Sequence, residues 1–365
     1  MNEFVILHAP QFLSNLDKLR KASTIGALSR EVRKLRLALS KKRPAVSASH
    51  SPNGQIRISR KYLLGELEQI ERTLTVERAR YYLQRLQKAI SNSKTNRVND
   101  INLRRWKEYE EILTDSLWVV DRRDTSGVHS AWYWGNFIPQ IPRQLLLRYT
   151  KKGEWVLDPF TGSGTTLLEC QRLGRNCLGV ELQKKVASKT ASLVRKEGTN
   201  GHSASVAIEV GDSRTVDFAA LLKKHNGTSA QLAILHPPYH DIIRFSRKKS
   251  DLSNARSTSE FLDMFGGVVE NVGKVLDRNR YLAVVIGDKY DQGEWVPLGF
   301  LAMNEVIRRG FRLKSIVVKN FDETYGKRSR KELWRYRALA GGFYVFKHEY
   351  VLIFQKRENK AIRAT

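Results

Sequence analysis

The clearest candidate for a functional site in this sequence of 365 residues is a glycine-rich turn. Residues 158–166 read Asp-Pro-Phe-Thr-Gly-Ser-Gly-Thr-Thr, between an apolar run at 155–157 and a helix-like segment that ends at Gly174. Glycines at such a turn let backbone N–H groups approach a ligand, and a helix start favours polar or anionic groups. No Gly-Lys-Ser/Thr follows, so a nucleoside-type ligand fits better than a nucleoside triphosphate.

Two acidic residues follow the next two predicted strands. Glu181 ends the segment Leu-Gly-Val-Glu, near the spacing at which an acidic residue reaches a ribose diol. Asp212 follows the predicted strand 206–210. An ordinary helix start and a turn former are the alternative interpretations. Because the carboxyl ends of parallel strands share one edge, we expect both side chains in the crevice of the glycine turn.

A fourth predicted strand, 232–235, ends in His236-Pro237-Pro238-Tyr239. Two consecutive prolines fix the backbone, aim its carbonyl groups and carry the aromatic side chain outward. A rigid turn is the structural alternative. Together with the glycine turn, this segment indicates a site of chemistry.

The elements that position these residues follow an α/β pattern. Strands at 155–157, 177–180, 206–210 and 232–235 alternate with helices at 165–173, 183–195 and 215–224, which predicts a doubly wound, mostly parallel sheet. Later apolar runs add strands at 281–286, 313–318 and 350–354, which makes seven strands. Further helices are predicted at 142–149, 259–276 and 297–309.

The chain divides into three predicted parts. Residues 1–127 form a mainly helical, basic region with loops at 41–55 and 91–99, suited to DNA recognition or dimerisation. Residues 128–358 form the α/β domain, and 359–365 form a tail.

Charge indicates the partner class. Lysine and arginine number 64 against 37 aspartate and glutamate residues, which gives a net charge of +27. Such an excess attracts polyanions, nucleic acid first and anionic membrane second. We find no apolar run of about 20 residues and no signal peptide, so we expect a cytoplasmic protein without a membrane span. The two cysteines have no metal-site spacing, and no metal site is expected.

These motifs together resemble the amino-directed DNA methyltransferases, which act on adenine N6 or cytosine N4 and use S-adenosylmethionine. The resemblance covers about residues 129–356 and includes Phe137-Ile138-Pro139, which is similar to the family's extra cofactor segment. It implies a Rossmann-like class I methyltransferase fold, S-adenosylmethionine as cofactor and double-stranded DNA as substrate. A cognate restriction endonuclease and the choice between monomer and homodimer stay open.

The resemblance also implies residue roles. Glu181 would hold the ribose hydroxyls and Asp212 would contact the adenine of the cofactor. The full set of implied cofactor residues is Phe137, Pro139, Asp158, Pro159, Phe160, Gly162, Gly164, Thr165, Thr166, Glu181 and Asp212. The implied catalytic residues are His236, Pro237, Pro238 and Tyr239.

His236 departs from the family, which has Asp, Asn or Ser at that position. A neutral imidazole offers one acceptor nitrogen for an amine N–H, and the Pro237 carbonyl would be the second acceptor. Tyr239 would stack on a base that has left the duplex. Because protonation removes the acceptor, we expect activity to fall as the pH drops through the titration of His236.

Two basic stretches are candidate nucleic-acid contacts. The first carries Arg244, Arg247, Lys248 and Lys249 directly after the catalytic motif, and a plain solvated loop is its rival interpretation. The second carries Lys327, Arg328 and Arg330 and continues into Trp334 and Tyr336. Arginine interleaved with aromatics suits phosphate contact and base stacking, whereas buried packing of the two aromatics is the alternative.

The function expected from the sequence is site-specific DNA amino-methylation in restriction–modification or phage defence. Adenine N6 is slightly favoured, only because that modification is commoner in the family. Two alternatives remain: amino-methylation of RNA bases, and nucleic-acid binding without catalysis on the same fold.

Overall fold

The chain consists of two compact units, which divide between Glu111 and Ile112. The computed structural model describes residues 3–41, 54–198, 201, 203–320 and 331–357, with Lys331 described by its backbone alone. Within these ranges, no helix has both the length and the apolar character that crossing a membrane requires.

The first unit contains one strand–helix–helix arrangement twice. Its elements are β1 (Phe4–His8), α1 (Ala9–Arg20), α2 (Ile25–Ser40), β2 (Gln55–Ser59), α3 (Arg60–Glu71) and α4 (Val76–Ser91). Each element of the second half begins 51 residues after its counterpart, as residue 55 follows residue 4. The unit is therefore an internal repeat. The helices were predicted from their apolar spacing, but the two short strands were not.

The two halves of the repeat form one core. Helix α1 packs against α4, and α2 packs against α3. Buried leucines recur at the repeat distance, as with Leu16 and Leu67. Thr24 and Thr75 cap α2 and α4 in the same way, each accepting a hydrogen bond from a backbone N–H three residues later. The repeat thus includes packing and capping as well as element lengths.

The second unit is an α/β domain. Its strands are β3 (Leu117–Trp118), β4 (Trp155–Asp158), β5 (Asn176–Glu181), β6 (Val206–Val210), β7 (Ala230–Leu235), β8 (Leu276–Ile286), β9 (Lys289–Asp291), β10 (Glu294–Val296), β11 (Phe311–Asn320) and β12 (His348–Lys356). Its helices are α5 (Gln140–Tyr149), α6 (Thr165–Leu173), α7 (Lys184–Glu197), α8 (Phe218–Lys224), α9 (Thr258–Val275), α10 (Leu298–Arg308) and α11 (Lys331–Gly341).

Eight of these strands form the main sheet, in the order β3-β11-β12-β8-β7-β4-β5-β6. Strand β12 is antiparallel to both neighbours, and the other pairings are parallel. Strands β9 and β10 form a separate antiparallel pair. Apolar side chains build one core on each face of the sheet. This arrangement confirms the Rossmann-like α/β fold class.

The predicted strand count, the domain boundary and the start of one helix need correction. The main sheet has eight strands, not seven, because Leu117–Trp118 joins its edge beside β11. That addition also places 112–127 with the α/β unit, whereas the predicted boundary lay after residue 127. Helix α8 begins at Phe218 rather than 215, because Asp217 caps it by accepting a hydrogen bond from the Ala220 N–H.

Candidate active site

A cavity of about 1450 Å³ lies where the parallel strands of the main sheet end. The glycine turn follows β4, Glu181 ends β5, Asp212 follows β6 and His236 follows β7. Because these strands are parallel, their carboxyl ends meet at one edge, as the sequence predicted. The predicted residues on the cavity wall are Phe137, Pro159, Phe160, Gly162, Thr165, Glu181, Asp212, His236, Pro237, Pro238 and Tyr239.

Four predicted cofactor residues lie outside this lining: Pro139, Asp158, Gly164 and Thr166. Pro139 is the N-cap residue of α5. The Asp158 carboxylate is buried and accepts a hydrogen bond from the Phe160 N–H at 3.0 Å. Thr166 is fully buried within α6, so its hydroxyl does not offer the contact expected of it. Asp158 and Thr166 support the turn from behind, and burial raises the pKa of Asp158 to about 6.

The glycine turn is held by hydrogen bonds from several elements. Gly162 N–H donates to Glu181 Oε2 at 3.0 Å, and the Gly162 carbonyl accepts from Thr190 Oγ1 at 2.7 Å. Gly162 and Gly164 have φ of +49° and +81°, in the left-handed region that favours glycine. A Cβ on Gly162 would lie 3.1 Å from the Tyr133 ring, so the turn needs a residue without a side chain there.

Gly164→Ala is expected to destabilise the protein by about 1–3 kcal/mol, because its Cβ would lie 2.4 Å from Thr190 Cγ2 in a left-handed conformation. Gly153→Ala is the matched control, because Gly153 has φ of +78° and open space around its Cβ position. Urea unfolding measures the free energy of unfolding of both variants. The cost of placing alanine at positive φ is common to both, so the difference between them reports the steric clash with Thr190. A loss no larger for Gly164→Ala than for Gly153→Ala would contradict this packing.

Both strand-end carboxylates are already hydrogen-bonded within the protein. Glu181 Oε1 accepts from the Gln183 N–H at 2.9 Å, and its Oε2 accepts from Gly162. Burial raises the pKa of Glu181, and these backbone donors oppose that shift. Asp212 is paired with Arg214, whose Nη2 donates to Oδ2 at 2.7 Å. A carboxylate has about four lone-pair positions, so each can accept a further hydrogen bond from a ligand.

A hydrogen-bonded chain supports the His236 side chain. Its Nε2 lies 3.3 Å from the Tyr239 hydroxyl oxygen, and that hydroxyl donates to Glu349 Oε2 at 2.9 Å. The other carboxylate oxygen, Oε1, lies 3.2 Å from Lys319 Nζ. The ring of Phe137 packs edge-on against the imidazole, with centroids 4.6 Å apart. All five side chains line the cavity.

This chain assigns the tautomer of the imidazole. The Tyr239 hydroxyl donates its proton to the hydrogen bond with Glu349. In its contact with His236, the Tyr239 oxygen can therefore act only as the acceptor. Nε2 therefore carries the ring proton, and Nδ1 is the unprotonated nitrogen of the neutral imidazole. Burial, and secondarily the charge of Lys319, lower the pKa of His236 to about 3.

The low pKa corrects the expected pH dependence. With a pKa of about 3, the ring is expected to be neutral between pH 5 and 8, so its titration should not lower the activity in this range. We expect the ratio of the wild-type rate to that of His236→Asn to stay constant across this range, since asparagine does not titrate. Contributions from Asp158, whose pKa is about 6, affect both proteins equally and cancel in the ratio. A ratio that falls at the acid end would contradict a neutral His236 ring in this range.

The same shift has a consequence for stability. The unfolded chain binds a proton at His236 near the ordinary pKa of 6.5, whereas the folded chain does not until about pH 3. This group therefore lowers the free energy of unfolding as the pH falls from about 6.5 towards 3.

Lys319 and Glu349 were not predicted as site residues. They are paired in register on β11 and β12, at the sheet edge where His236 also lies. The sequence did contain a signal for them. Glu349 directly precedes the apolar run Tyr-Val-Leu-Ile-Phe in β12, and Lys319 is the second-last residue of β11. Charges at such positions are rarely buried without a partner.

The first basic stretch is ordered, and Phe245, Ser250 and Asp251 line the cavity, whereas its four predicted cations do not. Asp251 accepts hydrogen bonds from Ser246 Oγ at 2.7 Å and from the Ser253 N–H at 2.9 Å. Phe245 stacks on Tyr133 with ring centroids 5.5 Å apart. Lys248 Nζ donates to the Leu182 carbonyl, so this lysine anchors the segment, while the side chains of Arg244, Arg247 and Lys249 are exposed. The segment is thus anchored to its surroundings, and a nucleic-acid contact of its exposed cations stays a prediction.

The second basic stretch is only partly described. Lys327, Arg328 and Arg330 lie outside the described residues. Trp334 on α11 is half-buried and lines the cavity, with the Arg337 guanidinium 5.4 Å from its ring centroid. Tyr336 is 69% exposed, so the alternative of buried packing does not hold for it.

Comparison with known proteins gives the family. The profile of a family described as DNA methylase, covering N6 and N4 methyltransferases, matches residues 49–192 and 230–365. The chain belongs to this N6/N4 DNA methylase family. The resemblance predicted from the glycine turn and the His-Pro-Pro-Tyr segment is thereby confirmed at the level of the family.

Individual relatives match shorter segments of the chain. The type II methyltransferase M.MjaII from Methanocaldococcus jannaschii is 38% identical over 84 residues, which are 21% of this chain and 16% of that protein. The type II methyltransferase M2.LlaDCHI from Lactococcus lactis subsp. cremoris is 36% identical over 112 residues, 29% of this chain and 42% of that protein. The matches thus span less than half the length of either relative.

Among solved structures, the match to TrmN from Thermus thermophilus covers 61% of this chain and 50% of the TrmN chain. The TM-score is 0.38 and the identity 17%.

Proposed function

We propose that the chain transfers a methyl group from S-adenosylmethionine to the exocyclic amine of a DNA base. The observation that carries this proposal is the single cavity in which Gly162 and Glu181 face the same space as His236, Pro237 and Tyr239. Its volume of about 1450 Å³ exceeds the roughly 300–1,000 Å³ of an ordinary small-molecule site. The cavity therefore has room for a cofactor and a base together.

The residues of the glycine turn fit a nucleoside cofactor. The space beside Gly162 depends on the missing side chain, since a Cβ there would crowd the Tyr133 ring. Glu181 presents a carboxylate held by two backbone donors, which suits a pair of ribose hydroxyls, and Asp212 presents a second one for the adenine ring. Phe160 adds an apolar wall. When bound, S-adenosylmethionine supplies an electrophilic methyl group.

The catalytic motif would act on the amine rather than on the cofactor. An exocyclic amine is a weak nucleophile because its lone pair is delocalised into the ring. His236 Nδ1 and the Pro237 carbonyl would each accept one N–H, which holds the nitrogen nearer to tetrahedral and stabilises the positive charge that develops there. The rest of the rate enhancement comes from positioning the two reactants in line.

The base would have to leave the duplex to reach this cavity. The aromatic ring of Tyr239 lies on the wall beside His236, and Trp334 lines the same cavity. Either ring offers a surface on which a flipped base can stack. We take adenine N6 as the first candidate target and cytosine N4 as the second, and both present an amine to the same acceptors.

The deciding experiment incubates the purified chain with methyl-labelled S-adenosylmethionine and unmethylated bacterial DNA, with RNA as a parallel acceptor. Digestion to nucleosides and mass spectrometry then identify the product. Labelled N6-methyladenine or N4-methylcytosine from DNA would support the proposal and name the base. Label in RNA alone would favour RNA methylation, and cofactor binding without label in either acceptor would favour a non-catalytic nucleic-acid-binding role.

The biological setting we propose is restriction–modification, in which methylation protects DNA from a cognate endonuclease. The type II names of the relatives support this setting. The experiment is to express the chain in a host and test whether its DNA becomes resistant to a panel of restriction endonucleases. Unchanged sensitivity at every methylated sequence would count against a protective role.

A further inference from the structure

We propose that the β1–β2 ribbon of the first unit reads base edges in the major groove of the target DNA. This inference rests on the proposed function only in taking duplex DNA as the partner. Strand β1, α1 and α2 lie before residue 49, outside the segments that match the methylase family. Strand β1 is therefore outside that family similarity, whereas β2, which carries Gln55 and Arg57, lies within the matched residues 49–192.

The ribbon has a two-fold arrangement. Strands β1 and β2 pair antiparallel, and Ile6 lies opposite Arg57, its own counterpart in the repeat. The local two-fold axis of the repeat thus passes between these residues. Two-stranded antiparallel ribbons are one of the two shapes that the major groove of B-DNA admits, the other being a helix.

Alternation along the strands separates a core face from an outer face. Val5, Leu7 and Ile58 are buried in the core of the repeat. His8, Gln55 and Arg57 are exposed on the outer face. Phe4 and Ile6 share that face and are partly exposed, with the Arg57 guanidinium 3.9 Å from the centroid of the Phe4 ring.

These side chains match the chemistry of base edges. Arginine pairs with guanine O6 and N7, glutamine pairs with adenine N6 and N7, and apolar side chains contact the thymine methyl group. Charge favours the same partner, because residues 1–111 contain 23 lysines and arginines against 11 aspartates and glutamates. This net charge of +12 attracts a polyanion.

The outer edge of β2 is occupied within the unit. Arg105 Nη2 donates to the Arg57 carbonyl at 2.9 Å, and the Ser59 N–H donates to Glu108 Oε1 at 2.8 Å. A third strand from a protein partner would have to displace both contacts. The outer face, rather than this edge, is what the ribbon presents.

The outer face is two-fold in its backbone but not in its side chains. β1 contributes Phe4, Ile6 and His8, whereas β2 contributes Gln55 and Arg57. A protein surface with two-fold symmetry binds a palindromic DNA sequence, because the symmetry of the DNA site mirrors that of the protein. This ribbon is expected to read an asymmetric sequence.

The test begins with selection of 20-base-pair duplexes from a random library by the full-length wild-type chain, with no cofactor added. Affinities for the selected duplex and for a shuffled duplex are then measured by fluorescence anisotropy at fixed salt. Arg57→Ala is expected to lose roughly 10-fold to 100-fold in affinity for the selected duplex. Arg33→Ala, which removes the same charge from an exposed position on α2, is the matched control and should lower both affinities alike.

Modified DNA makes the test atom-specific. Replacing the contacted guanine by 7-deazaguanine removes its N7 acceptor in the major groove. This change should weaken the wild type and Arg33→Ala but have little effect on Arg57→Ala, because the contact is already lost. Equal sensitivity of all three proteins at every guanine of the selected site would overturn the proposal. So would failure of the wild type to select any sequence, or a change in self-association of Arg57→Ala with DNA affinity unchanged.

The outcome is distinguishable from failure of the proposed function, because selection and binding require no methyl transfer. If the chain selects a sequence through Arg57 but methylates no DNA, the proposed activity is contradicted and the proposal for the ribbon is still supported. A chain that methylates DNA at one sequence, with Arg57→Ala and Gln55→Ala leaving that sequence and its rate unchanged, would overturn the ribbon alone.

Discussion

A His236→Ala variant is expected to bind S-adenosylmethionine as the wild type does and to transfer methyl groups about 100-fold to 1000-fold more slowly. The reason is that alanine removes the proposed Nδ1 acceptor and leaves only the Pro237 carbonyl for the role proposed for both groups, which is to stabilise the charge on the attacking amine. Single-turnover transfer to DNA measures the rate, and isothermal titration calorimetry measures cofactor binding. The loss should appear in the single-turnover rate constant, with little change in cofactor affinity.

A matched substitution separates the acceptor role from packing. His236→Asn keeps an acceptor oxygen in a smaller, non-titrating side chain, and it should retain far more activity than the alanine variant. Phe137 and Tyr239 contact the imidazole edge-on, so both variants lose packing against those rings. Equal rates in wild type and His236→Ala, or equal losses in the alanine and asparagine variants, would remove the acceptor role.

Much of the α/β unit could be predicted from the sequence because its signals are local. The glycine turn, the two strand-end carboxylates and the proline pair each lie at the end of a strand of four to six residues that contains an apolar run. Once the run is assigned as a parallel strand, the position of the following side chain at the common edge is determined by the fold. Glu181 and His236 were placed correctly at the cavity for this reason.

The side chains behind the motif could not be predicted in the same way. Lys319 and Glu349 belong to strands whose pairing depends on register, and a shift by one residue would send each side chain to the opposite face. Likewise, the position of Asp158 and Thr166 behind the wall depends on how α6 packs, which no local pattern reveals. The pKa of His236 depends on the burial of its own ring and on the nearby charge of Lys319, neither of which the sequence reveals.

The repeat of the first unit was missed for a different reason. Its two halves share the apolar character of positions 51 residues apart, such as Val32 and Leu83, more often than the residues themselves. The strands have only five residues each. A search for spacing between apolar patterns, rather than for similar segments, would have found it.

Lys319→Met is expected to lower the free energy of unfolding by about 3–5 kcal/mol, because it leaves the Glu349 carboxylate in the sheet edge without its lysine. The two side chains are only 6% and 5% exposed. Urea unfolding followed by tryptophan fluorescence measures the change. Lys224→Met is the control within the same unit, since Lys224 is 59% exposed in its pair with Glu209 and should contribute about 0–1 kcal/mol.

The double variant Lys319→Met/Glu349→Gln gives the sharper result. Removing both charges leaves no buried ion without a partner, and glutamine can still accept the Tyr239 hydroxyl proton through its amide oxygen. The double variant should therefore be more stable than Lys319→Met alone, although it carries one more substitution. It should also keep the hydrogen bond that assigns the Nε2–H tautomer of His236, so that its methyl transfer stays above that of Glu349→Ala, which removes the acceptor. Additive losses in stability would show that the two charges do not act as a pair.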